Sequence, residues 1–164
     1  MLRALGYSQR VRTVSNAVAH AFLLSLATGM RAGELTKLTW DKTYTDYVRP
    51  PITQTVPREV PLSPVAQRII AQMRGWDEVL VFGLKPQTLD ALFRKARAGG
   101  FHVSRHTAAT RMARIVNVLT LCKIFGWKKT DQALTYFNAK ASDIAKQLIP
   151  VVPTPRSPIK ASAH

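Results

Sequence analysis

Arg31, His102, Arg105 and Tyr136 are the residues whose types and placing suggest chemistry. Arg31 follows Thr28-Gly29-Met30, directly after the most hydrophobic stretch of the chain. A charge in that position needs a partner or an anion. Glu34, one helical turn on, is one answer, and a bound anion at a pocket mouth is the other. His102 and Arg105 lie in the run Phe101-His102-Val103-Ser104-Arg105-His106-Thr107 and are three residues apart, which places both on one helix face. A guanidinium fork and an imidazole at a helix start, where free N–H groups point outward, make a phosphate receptor. The same spacing also serves an ordinary surface pair. His106 faces elsewhere and reads as a buried or supporting histidine, not a reacting one. Tyr136, in Leu134-Thr135-Tyr136-Phe137-Asn138, is either a core residue or a nucleophile. The second role needs an anionic electrophile and nearby cations, because a free phenol has a pKa of about 10.

These residues need helices to hold them. Val14, Ala17, Val18, Ala21, Phe22 and Leu24 to Leu26 follow helical spacing on more than one face, which predicts a buried helix running to about Ala27 and stopped by Thr28-Gly29. Glu34, Leu35 and Leu38 begin a short amphipathic turn ending near Trp40. Tyr44, Tyr47, Val48, Ile52, Val56, Val60 and Leu62 are β formers, and Pro50, Pro51 and Pro57 restrict them to short edge strands joined by a turn. Ser63-Pro64 reads as an N-cap followed by proline at the first helical position. That helix runs to Gly75 through Val65, Ile69, Ile70 and Met73. Residues 79–82 are a short strand candidate. Pro86 opens a helix carrying Leu89, Leu92, Phe93 and Ala96, and Gly99-Gly100 stops it. Residues 102–148 are helical again, with breaks near Asn117, Gly126 and Asn138. Residues 150–164 hold four prolines and almost no core formers, the pattern of a flexible basic tail. The expected fold is mainly α with a small antiparallel β-sheet.

Composition narrows the partners. The 164 residues carry a formal charge of +15, with a sequence pI near 10.8. A small chain this basic usually meets a polyanion, nucleic acid before anionic membrane. The longest apolar run, residues 17–27, is interrupted by His20 and Ser25 and falls short of the roughly 18 residues a membrane span needs. There is no long basic amphipathic helix of the kind that lies on membranes. Residues 1–12 lack the apolar core and cleavage site of a signal peptide. The single cysteine, Cys122, excludes an internal disulfide framework and a cysteine-based zinc site, and fits a reducing cytosol.

Five segments in order carry a resemblance. They are Thr28-Gly29-Met30-Arg31-Ala32-Gly33-Glu34-Leu35, Val60-Pro61-Leu62-Ser63, His-x-x-Arg-His-Thr at 102–107, Gly126-Trp127, and Tyr136. Together they resemble the tyrosine recombinase (phage integrase) family over residues 14–148. In that family a Gly-His or Gly-Trp pair precedes the nucleophilic tyrosine by nine residues, as Trp127 precedes Tyr136 here. Arg58-Glu59-Val60-Pro61-Leu62-Ser63 and Tyr136-Phe137-Asn138 look most like integrases of proteobacterial prophages.

The resemblance implies a tyrosine recombinase catalytic domain at residues 1–149, followed by the Pro-rich tail at 150–164. The helical core-binding domain that usually precedes it is absent from this chain. It implies site-specific recombination of double-stranded DNA, integration or excision, without metal or cofactor. The assembly would be a homotetramer on DNA and a monomer or weak oligomer off it, in the bacterial cytoplasm at the nucleoid and away from the membrane. Arg31 and Arg105 would clamp the non-bridging oxygens of the scissile phosphate. His102 would assist proton movement at the nucleophile, Trp127 would buttress the site, and Tyr136 would attack phosphorus to give a 3′-phosphotyrosine and a free 5′ hydroxyl. Two departures stand out. The slot of the family's hairpin lysine, the general acid for the 5′ oxygen, holds Gln54, and the nearest lysine is Lys42. The usual Asp after the motif histidine is Val103. The lost lysine leaves a second reading, a catalytically impaired relative acting as a DNA-binding module. A type IB topoisomerase shares the chemistry but matches the segment at 28–34 less well.

Overall fold

A computed structural model describes residues 2–51, 57–96 and 101–137. The central element is α1, Val14–Thr28, buried on nearly every side. Thr13 caps it by accepting the N–H of Asn16 at 3.2 Å. Gly29 ends it in the left-handed region, φ 71°, and donates its N–H to Ser25 at 2.8 Å. A side chain on Gly29 would also run into the Phe125 ring. The chain restarts at once as α2, Ala32–Thr36, with Arg31 as its N-cap residue.

Strand β1, Tyr47–Val48, pairs antiparallel with β2, Val60–Pro61, placing Val48 opposite Val60. Helix α3, Pro64–Ala71, starts on the expected Ser63 cap, whose hydroxyl accepts the N–H of Ala66 at 3.3 Å. Helix α4 is Pro86–Lys95, with Leu89 and Phe93 buried. Helices α5 (His102–Met112), α6 (Val118–Phe125) and α7 (Asp131–Leu134) follow. Asn117 caps α6, and Gly126 closes it at φ 64°. The break expected at Asn138, the turn residues Ile52 and Val56, the Gly99-Gly100 stop and the tail lie outside the described residues.

Among the described residues, apolar side chains gather in two cores. The larger joins α1, α3, α4 and the sheet; the smaller joins Ala108 and Ala109 of α5 with Leu121 and Phe125 of α6 and Ala133 of α7. Phe101, just before α5, belongs to the larger core, and a 2.6 Å hydrogen bond between the buried hydroxyls of Ser25 and Ser104 ties α5 to α1. The chain at Gly29, just before Arg31, lies against Phe125 of the smaller core.

Three expectations are corrected. Residues 79–82 form only an isolated bridge, Leu80 to Thr39, because the facing chain turns into a 3-10 turn at Trp40–Lys42. The amphipathic turn near Glu34 starts earlier and ends at Thr36, since Arg31 and Glu34 build its first turn. The helix opened by Pro64 stops at Ala71, and turns carry the chain to Gly75 at φ 82°.

Candidate active site

The end of α1 and the start of α5 border one cavity of about 610 Å³, lined by Met30, Arg31, Lys37, His102, Ser104 and Arg105 among others. Arg31 and Arg105 therefore face a common space. Arg31 is 30 % exposed, yet its Nη1 is buried and has no hydrogen-bond partner among the described residues. Glu34 Oε1 is 3.8 Å away, beyond hydrogen-bond range. Burial lowers the pKa of Arg31, Glu34 opposes that effect, and Arg58 adds to it.

Arg105 is held by backbone. Its Nη1 donates to the Gly29 carbonyl, and its Nη2 donates to the Phe125 carbonyl at 2.8 Å. Both acceptors are helix-end carbonyls left unpaired by the turns of α1 and α6. The guanidinium also lies 4.6 Å from the Phe125 ring centre and 5.7 Å from that of Trp127. A guanidinium has five N–H groups, so two carbonyl contacts leave three. Burial drives the Arg105 pKa down, and Arg31 and Arg58 push it further, against the pull of Glu34 and Tyr136. An anion in the cavity would relieve both arginines.

Behind them lies a buried ion pair. Glu34 is fully buried, and Arg58, only 4 % exposed, meets it with two hydrogen bonds of 2.6 and 2.9 Å. Arg58 Nε also donates to the Ile124 carbonyl at 2.8 Å. Burial pushes the Glu34 carboxyl up, but the Arg58 hydrogen bonds and charge, with the Arg31 N–H, outweigh it and hold the pKa low. That N–H donates to Glu34 Oε2 at 2.8 Å. One carboxylate thus fixes the backbone of Arg31 and ties the segment before β2 to α2, while Arg58 itself reaches on to α6.

The tyrosine sits beside this group. Trp127 stacks on Tyr136 with ring centres 5.6 Å apart and planes 3° apart. The Tyr136 hydroxyl is 2.6 Å from His106 Nδ1. Burial raises the Tyr136 pKa, and Arg105 draws it partly back.

The profile of the phage integrase family matches residues 4–143. The chain belongs to the phage integrase family. It is 33 % identical over 135 residues to a Haemophilus influenzae protein named as an integrase/recombinase, covering 74 % of this chain and 44 % of that protein. It therefore spans less than half the length of that relative. Among solved structures, the Tn1549 transposon integrase in complex with circular intermediate DNA superposes with a TM-score of 0.60 at 18 % identity, over 88 % of this chain and 63 % of that one. XerA recombinase superposes with a TM-score of 0.64 at 18 % identity, over 89 % and 58 %. The mainly α fold with its two-stranded antiparallel sheet is the integrase fold.

Within this phage integrase chain, Arg31, His102 and Arg105 line one cavity, while Trp127 and Tyr136 stack beside Arg105. Of the two readings of His106, the buried one is corrected: the residue is exposed, and its Nδ1 meets the Tyr136 hydroxyl. His102 and His106 are one turn apart at i, i+4, and their rings lie 6.3 Å from each other; that spacing was the available signal. Arg58 opens the Arg58-Glu59-Val60-Pro61-Leu62-Ser63 segment but is not among the expected site residues. Its side chain is only 4 % exposed and meets Glu34 from twenty-four residues away, a pairing that no local pattern signals. Val103 is the second residue of α5, whose N-cap position is held by Phe101 with no side-chain cap. Gln54 lies outside the described residues, and Lys42 pairs with Asp41 at 3.2 Å. No three His, Cys, Asp or Glu side chains cluster as a metal site among the described residues. No helix there is long and apolar enough to cross a membrane.

Proposed function

We propose that this chain is the strand-cleaving part of a site-specific DNA recombinase. Arg31 and Arg105 bind the two non-bridging oxygens of the scissile phosphate and neutralise the charge that builds as phosphorus becomes five-coordinate. His102 lies at the same cavity and moves protons there, and Trp127 holds the nucleophile's ring. Tyr136 attacks phosphorus, leaving a 3′-phosphotyrosine and a free 5′ hydroxyl. The covalent link keeps the phosphodiester's energy, so rejoining requires no nucleotide, metal or cofactor.

The observation that carries this reading is the buried, unbonded Nη1 of Arg31 in a cavity shared with Arg105. A desolvated N–H of a cation without an acceptor is costly unless an anion completes it. The net charge of +15 supplies the sequence-independent attraction to duplex DNA. Assembly as a tetramer on DNA in the bacterial nucleoid, with residues 1–149 as the catalytic unit, completes the proposal. Arg31→Ala and Arg105→Ala should each slow covalent capture of DNA by roughly 10²–10³-fold, the loss typical of one oxyanion donor. Duplex affinity should change little in either. Full capture in both variants would reject the clamp. Gln54 favours a second reading, a DNA-binding module without cleavage, which predicts duplex binding and no capture by any variant.

A further inference from the structure

The hydrogen bond between Tyr136 and His106 joins residues that the fold brings together from different helices. Helix α5 presents His106 beside the cavity-lining His102 and Arg105. The turn after α7 presents Tyr136, and the parallel stack on Trp127 fixes the plane of its ring. The hydroxyl then meets Nδ1 of His106 at 2.6 Å.

A phenol that attacks phosphorus must lose its proton, and burial makes that harder for Tyr136. A general base must lie within hydrogen-bond reach of the proton it takes. Among the described residues, His106 Nδ1 is the side-chain atom hydrogen-bonded to this hydroxyl. His106 is exposed, so its ring can exchange the proton with water afterwards. With Nε2 carrying the ring proton, Nδ1 offers a lone pair to the phenol.

We infer that His106 is a catalytic residue, the base that takes the Tyr136 proton as the tyrosine attacks the scissile phosphate. The inference rests on the strand-cleaving reading above. The phenolic O–H bond breaks and an N–H bond forms at Nδ1. The phenolic oxygen's electron pair forms the bond to phosphorus. The bond from phosphorus to the 5′ oxygen breaks, its electron pair stays on that oxygen, and water protonates it. In rejoining, the 5′ hydroxyl gives its proton to solvent and attacks phosphorus. The imidazolium then returns its proton to the departing phenolate.

The test is single-turnover capture of Tyr136 on supercoiled plasmid DNA, quenched in detergent, with duplex affinity measured alongside. Wild type is compared with His106→Gln, His106→Ala and Tyr136→Phe. Glutamine can still hydrogen-bond the phenol but cannot take its proton. Both His106 variants should lose roughly 10²–10⁴-fold in capture rate at unchanged affinity, and added imidazole should partly restore His106→Ala. A His106→Gln chain at the wild-type rate overturns the proposal, as does a His106→Ala chain that imidazole leaves unimproved. A second measurement needs no turnover. The Nδ1 resonance of His106, read by long-range proton–nitrogen NMR, should move in Tyr136→Phe; an unmoved resonance overturns the contact. If wild type itself captures no DNA, the strand-cleaving reading fails and takes this step with it. If wild type is active and His106→Gln matches it, only this step fails.

Discussion

Glu34 and Arg58 offer a quantitative test of how the site is held. The pair is desolvated, and its two short hydrogen bonds are the main anchor between α2 and the strand segment. Removing one partner of such a pair strands the other charge in the interior, at a typical cost of about 3–5 kcal/mol. Removing both charges leaves no stranded ion and costs far less. Glu34→Gln keeps a carbonyl oxygen for the Arg31 N–H, so the start of α2 survives. Arg58→Met keeps most of the apolar volume. Each single variant should lose about 3–5 kcal/mol from a total that is about 5–15 kcal/mol for most domains. At about 2–4 °C per kcal/mol for a chain of this size, the melting temperature should fall by roughly 6–20 °C. The double variant should be more stable than the sum of the singles predicts, by about 2–3 kcal/mol. Urea unfolding followed by tryptophan fluorescence gives all four values, with the slope checking that the unfolded state is unchanged. Additive losses, or singles within about 0.5 kcal/mol of wild type, would show that the pair does not act as a buried unit.

Four further outcomes follow. Because Glu34 titrates lower when folded than unfolded, its share of the stability is present above the ordinary carboxylate range and lost as pH falls through the folded value. The stability gap between wild type and Glu34→Gln should therefore close below about pH 4, and a gap constant down to acid would contradict this. Gly29→Ala, which places a side chain at φ 71° and into the Phe125 ring, should cost roughly 2–4 kcal/mol in chemical unfolding; a neutral result would mean that the two cores do not abut there. Duplex affinity should fall by orders of magnitude between about 50 and 200 mM salt, and salt-insensitive binding would point to a different partner. Gln54→Lys should speed strand cleavage by roughly 10²–10⁴-fold on normal DNA and little on a 5′-bridging sulfur substrate, whose leaving group needs no proton. Equal rates on both substrates with glutamine in place would assign the proton to another group, with Lys42 the first to mutate.

Much of this was legible in the sequence, because local signals and tertiary needs agree. Residues 14–28 are apolar all round and Gly29 ends them, so a buried helix stopping beside Arg31 follows from the pattern alone. Ser63-Pro64, Asn117 and Gly126 mark helix ends through capping chemistry that acts within a few residues. The misses are non-local. Residues 79–82 have strand composition, but only Thr39 and its neighbours face them, and that chain turns away. Nothing local marks Arg58 for burial, because its partner Glu34 stands twenty-four residues earlier. Adjacency to Arg105 turns His106 to another side of the helix, whereas the i, i+4 step aligns it with His102, and the contact with Tyr136 comes from thirty residues away.

The central claim is that Tyr136 becomes covalently joined to DNA. Purified chain incubated with supercoiled plasmid, denatured, digested with nuclease and protease and read by mass spectrometry gives the direct answer. The account predicts a nucleotide 3′-phosphate on the peptide carrying Tyr136, absent in Tyr136→Phe and strongly reduced in Arg31→Ala and Arg105→Ala. DNA that binds at low salt but leaves no nucleotide on Tyr136, or leaves one on another residue, would contradict it.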